Sequence, residues 1–127
     1  MTKNKILIID DEESAIALIG SKLSEAGYEV SSANDGFAGL EQARKSKPDL
    51  IILDIMLPGL GGYKVCQMLK FDENYKAIPI ILLSARNNEE DRKMGLQTGA
   101  NLYLTKNTTK SFWDNLVSNI DTLIKNK

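Results

Sequence analysis

The chain has 127 residues, 43% hydrophobic and 26% charged, which fits one globular domain over 1–127 and excludes a disordered chain. Sixteen basic and seventeen acidic residues leave a net charge of -1, without the basic excess of a charge-driven nucleic-acid binder. No histidine is present, which excludes His-based triads and imidazole-containing zinc sites, and the lone Cys66 has no internal disulfide partner.

In chain order, residues 6–9 form a continuous branched apolar run, the pattern of a strand buried on both faces. Ile16, Ile19, Leu23 and Ala26 then recur at three- and four-residue spacing, and Gly27 stops the helix they predict. Residues 28–33 read as a half-polar strand. After the turn at 34–36, Phe37, Leu40 and Ala43 mark a second helix. A second apolar run at 50–53 precedes the stripe Val65, Cys66, Met68 and Leu69, and a third run at 80–83 precedes a polar helix over 89–98 that ends near Gly99. A short strand at 102–105 leads to a final stripe of Phe112, Trp113, Leu116, Val117, Ile120 and Leu123.

Strand followed by helix, five times over, defines a doubly wound α/β sheet with right-handed crossovers. Five such units suit the flavodoxin-like order 2-1-3-4-5, adopted from that class of fold; it leaves the half-polar second strand at an edge. The apolar runs fall far short of the roughly 20 residues of a transmembrane helix. The N-terminus lacks the apolar segment of about 7–15 residues that a signal peptide needs. A cytoplasmic protein without membrane association is therefore expected, and an unpaired cysteine agrees.

Open α/β sheets bind ligands beyond the carboxyl ends of their strands. Asp10, Asp11 and Glu12 follow the first strand, Asp54 ends the third, Ser84 the fourth, and Thr105 and Lys106 the fifth. A single acid in such a place is an ordinary helix cap, and Asp35, Asp49, Asp72 and Glu73 are read as structural. Asp10, Asp11 and Asp54 together are different, because converging carboxylates repel one another unless a cation intervenes. Oxygen ligands without histidine favour a hard divalent ion, Mg²⁺ with Mn²⁺ as the alternative. A carboxylate in that setting can attack phosphorus to give an acyl phosphate, with Lys106 and Ser84 available to the phosphoryl oxygens.

Four segments resemble those of bacterial response-regulator receiver domains, chemotaxis regulators included. They are Ile6-Leu7-Ile8-Ile9-Asp10-Asp11-Glu12, Leu50-Ile51-Ile52-Leu53-Asp54-Ile55-Met56-Leu57-Pro58-Gly59, Pro79-Ile80-Ile81-Leu82-Leu83-Ser84-Ala85 and Gly99-Ala100-Asn101-Leu102-Tyr103-Leu104-Thr105-Lys106. The likeness covers about residues 4–125. It implies a phosphorelay protein of a two-component system in which Asp54 accepts a phosphoryl group from a phosphohistidine on a sensor kinase or phosphotransfer protein. It further implies that Asp11, Asp54, the Met56 backbone carbonyl and, through water, Asp10 hold Mg²⁺. Ser84 and Lys106 would contact the phosphoryl group, Ser84 and Tyr103 would act as the switch, and Met56 and Arg86 would tune dephosphorylation. The switched surface would be the fourth helix, fifth strand and fifth helix, as a monomer or a phosphorylation-dependent dimer. The output would be an effector protein or a tethered domain, without direct nucleic-acid contact by the receiver and without turnover of a separate substrate. Because the domain uses the whole chain, a stand-alone receiver and the front of a longer regulator both agree with the sequence.

Two departures stand out. Receivers usually carry proline after the lysine, in a cis bond, where this chain has Asn107; Lys106 is nevertheless expected to reach the site on its long stem. Leu60-Gly61-Gly62 replaces a common Met-Asp-Gly, so Gly61 removes a side chain at the third helix start. Other functions fit less well. A haloacid-dehalogenase-like phosphatase needs a second aspartate two positions after the nucleophile, where this chain has Met56. A flavodoxin would place a cofactor phosphate against Asp10, Asp11 and Glu12. The remaining alternative is a receiver-like scaffold that binds partners without phosphorylation, for which Asn107 is the argument.

Overall fold

The computed structural model describes residues 3–85 and 88–126. Five strands, β1 (Lys5–Ile9), β2 (Glu29–Ala33), β3 (Leu50–Asp54), β4 (Ile80–Ser84) and β5 (Leu102–Thr105), alternate with five helices. These are α1 (Glu13–Glu25), α2 (Gly36–Ser46), α3 (Gly62–Lys70), α4 (Glu89–Gln97) and α5 (Lys110–Lys125). All pairings are parallel and the order is β2-β1-β3-β4-β5, as expected. The half-polar β2 lies at an edge.

Side chains alternate across each strand, so the apolar runs feed two cores. On one face Leu7, Ile9, Ile51, Leu53, Ile80 and Leu82 pack against Leu40, Ala43, Val65, Cys66 and Leu69 of α2 and α3. On the other, Ile6, Ile8, Leu50, Ile52, Ile81 and Leu83 pack against Ile19, Leu23, Trp113, Leu116 and Ile120 of α1 and α5. Burying a side chain of this size contributes roughly 1.5–3 kcal/mol, and that continuous double burial fixes where each strand ends. No helix among the described residues is long and apolar enough to cross a membrane.

Three residues of the expected apolar stripes lie outside the core, the first of them Ala26, which is exposed as the C-cap of α1. Phe37 is 70% exposed and Met68 39% exposed. Three-residue steps along a helix drift by about 60° each, so Phe37 is about 120° away from Ala43. The buried face of α2 is Gly36, Gly39, Leu40 and Ala43. Met68 likewise sits beside the buried face of Gly62, Val65, Cys66 and Leu69. Asp35 caps α2, accepting from the Ala38 N–H at 2.8 Å. The other acids read as structural bond elsewhere: Asp49 to the Lys5 N–H (2.7 Å), Asp72 to the Asn74 N–H (2.9 Å), and Glu73 to Lys76 (3.0 Å).

Candidate functional site

The site forms where β1, β3 and β5 end together. Asp10 is the first residue past β1 and is 2% exposed; Asp54 closes β3 and is 4% exposed. Each carboxylate is oriented by its own backbone: Asp10 Oδ1 accepts from the Glu12 N–H and Asp54 Oδ1 from the Met56 N–H, both at 3.0 Å. Their other oxygens face Lys106, whose Nζ lies 2.9 Å from Asp10 Oδ2 and 3.3 Å from Asp54 Oδ2. Asp11 is exposed, and carboxylate oxygens of Asp10, Asp11 and Asp54 lie within 4.8 Å of one another.

Lys106 supplies a cation that offsets part of the repulsion expected of converging acids, through its pairs with Asp10 and Asp54. Burial still dominates at Asp54, whose carboxyl is pushed above the usual aspartate range; the Met56 N–H and the Lys106 charge act against that shift and Asp10 adds to it. At Lys106 burial pulls the ammonium down, but the Asp10 hydrogen bond and the charges of Asp54 and Asp10 outweigh it, and its pKa is raised.

No peptide bond among the described residues is cis, so Lys106–Asn107 is trans, and Lys106 reaches the carboxylates as expected. The Lys106 N–H donates to the Ser84 carbonyl at 2.7 Å, which anchors its backbone across the sheet. Asn107 then organises the loop: its Oδ1 accepts from the N–H groups of Thr108 (2.6 Å) and Thr109 (3.0 Å), and Thr109 caps α5.

Ser84 is fully buried on the strand next to Asp54, one residue beyond the Asp54–Leu83 pairing. Tyr103 is 1% exposed, with its ring turned into the core under α4. The Arg92 guanidinium lies 5.3 Å from the centroid of that ring and donates to the Tyr103 carbonyl at 3.2 Å. The Met56 side chain is half-exposed beside Asp54. Arg86 lies outside the described residues.

Gly62 is a residue whose role the sequence reading did not single out. A Cβ there would collide with the Asp54 carbonyl oxygen and lie 2.6 Å from the Ile55 Cα. Gly61, which drew attention instead, has open space around it and is the N-cap of α3 without a side-chain bond. The paired glycines were the available signal.

The fold and the acidic rim define a phosphoacceptor domain of the signalling kind. The model of the response regulator receiver domain matches residues 6–117, and the chain belongs to that family. The alkaline phosphatase synthesis transcriptional regulatory protein PhoP of Bacillus subtilis is 45% identical over 102 residues, covering 80% of this chain and 42% of that protein. The response regulator PleD of Caulobacter vibrioides is 43% identical over 102 residues, covering 80% of this chain and 22% of PleD. The chain therefore spans less than half the length of these relatives. The crystal structure of a putative response regulator from Chloroflexus aurantiacus superposes with a TM-score of 0.86 at 34% identity, covering 94% of this chain and 98% of that one.

Proposed function

We propose that Asp54 is the phosphoacceptor of this receiver domain and that Lys106 is the cation that steadies the transferred group. The observation that carries this reading is the single ammonium held between the buried carboxylates of Asp10 and Asp54, with Asp11 open to solvent beside them. The donor is a phosphohistidine of a sensor kinase or phosphotransfer protein. An Asp54 carboxylate oxygen attacks phosphorus, the P–N bond breaks as the O–P bond forms, and the departing imidazole takes a proton from solvent. Burial makes this carboxylate more basic than an exposed one and so a better nucleophile. Lys106 then turns from Asp54 to a phosphoryl oxygen, and the Ser84 hydroxyl donates to another. Attack of water on phosphorus later returns the carboxylate and releases inorganic phosphate, at a rate tuned by the side chains at Met56 and Arg86. The protein is a phosphoacceptor and turns over no other substrate.

The donor set fits a hard divalent cation: among the described residues it consists of three carboxylates within reach, two of them preoriented by backbone N–H groups. Asp11, Asp54, Asp10 and the Met56 carbonyl would hold Mg²⁺ or Mn²⁺, which when bound neutralises charge on the phosphoryl oxygens. Movement of Ser84 and Tyr103 then remodels the α4–β5–α5 surface for an effector protein or tethered output domain, as a monomer or a phosphorylation-dependent dimer. The near-neutral charge supports protein over nucleic acid as the receiver's own partner, and the composition supports a cytoplasmic setting.

Incubation with acetyl phosphate and Mg²⁺, followed by intact mass, tests the assignment. The expected result is a gain of one phosphoryl group in the wild type and none in Asp54→Asn. No gain in the wild type at any Mg²⁺ concentration would instead favour a scaffold that binds partners without phosphorylation.

A further inference from the structure

We infer that Tyr63 is a positioning residue: its hydroxyl holds α4 in the resting arrangement and so links the Asp54 loop to the surface that phosphorylation alters. The inference rests on Asp54 as phosphoacceptor and adds a residue to that reading.

The argument begins with how little anchors α4. Within Glu89–Gln97 the buried residues are Asp91 and Gly95, so the helix contributes almost no apolar area to the core. A helix of nine residues without an apolar face is marginal by itself, and such elements open most easily. Its position therefore depends on specific contacts. From the sheet side, Arg92 covers the Tyr103 ring and bonds its carbonyl, while Gly95 gives the ring room; a Cβ at Gly95 would lie 2.8 Å from Tyr103 Cδ2. From the other side, Tyr63 Oη donates to the Asp91 carbonyl at 3.2 Å, across 28 residues of sequence.

Tyr63 is also the residue next to Gly62, whose backbone is pressed against the Asp54 carbonyl. The first turn of α3 cannot stay in place if the Asp54 loop shifts, and the phenol moves with that turn. The Tyr63–Asp91 hydrogen bond thus joins the reacting strand end to the first turn of α4. The bond is made in the resting state and lost when the loop rearranges around the phosphoryl group. By linkage, a change that weakens the resting state favours the phosphorylated arrangement at equilibrium by up to the same factor.

Tyr63→Phe keeps the ring, which is part of the core periphery, and removes the hydroxyl alone. Hydrogen exchange on the unphosphorylated protein is expected to show α4 amides opening about 2- to 10-fold more often, the scale of one net hydrogen bond. Amides of β1 and β3 should remain at wild-type protection. The phosphorylated fraction reached at a fixed, sub-saturating acetyl phosphate concentration should rise. Unchanged α4 exchange, acceleration spread evenly over the sheet, or an unchanged phosphorylated fraction beside a loosened α4 would each overturn the inference. Failure of the phosphoacceptor reading is seen separately, as a wild type that gains no phosphoryl group, and the coupling falls with it.

Discussion

The carboxyl of Asp54 is more easily charged in the unfolded chain than in the folded one, because burial outweighs the help of Lys106 and the Met56 N–H. The sign of the pH effect follows. A carboxyl whose folded pKa lies above its unfolded value makes the folded state bind more protons in the interval between the two, so stability falls as pH rises through that interval and is level above it. Asp54→Asn is therefore expected to unfold at higher denaturant than the wild type at neutral pH in metal-free buffer. The difference should close as pH falls below the ordinary carboxyl range, where Asp54 is protonated in both states. Equal midpoints at neutral pH would contradict the account. The residues of this site were legible because each stands directly after an apolar run whose end the sheet fixes. The trans Lys106–Asn107 bond was not, since either isomer agrees with the same letters. The bond from Tyr63 to Asp91 has no periodic signature and depends on how two helices lie in space.

The third helix shows how two adjacent glycines differ in kind. Gly62 is excluded from bearing a side chain by the Asp54 carbonyl, whereas Gly61 is an uncapped helix start with nothing nearby. Gly62→Ala should destabilise the domain by about 2–4 kcal/mol, since the colliding atoms are backbone and cannot turn aside. Gly61→Asp should stabilise it by about a few tenths of a kcal/mol by supplying the missing N-cap acceptor. Urea titration of the two variants checks both signs, and a tolerated Gly62→Ala would show that the Asp54 loop is not seated as described. Strand–helix alternation was legible from the branched runs and stripes because the parallel sheet buries them on both faces. Which stripe members face inward was less so: Phe37 and Met68 are apolar residues at near-helical spacing that the drift of the helix carries to the surface.

For the molecule as a whole, any ligand that binds only the folded form raises the unfolding free energy by mass action, about 3 kcal/mol at about a hundredfold excess over Kd. Mg²⁺ should therefore raise the thermal midpoint of the wild type, and Asp11→Ala should abolish most of that rise while leaving the metal-free midpoint nearly unchanged, because Asp11 is exposed and contributes nothing to the core. An equal rise in both proteins would remove Asp11 from the cation site. The five-stranded order was available from the fold class and Lys106 was expected at the acid site, yet its bridging of Asp10 and Asp54 was not legible. The Lys106 ammonium, sent from the last strand, reaches acids on the first and third. The resting domain thus carries an internal counterion in the same seat that a divalent ion would claim. If Asp10 and Asp54 hold the proposed cation, magnesium would enter a place already tenanted. A phosphoryl group that drew the lysine to itself would vacate that place, and metal affinity would then rise on phosphorylation.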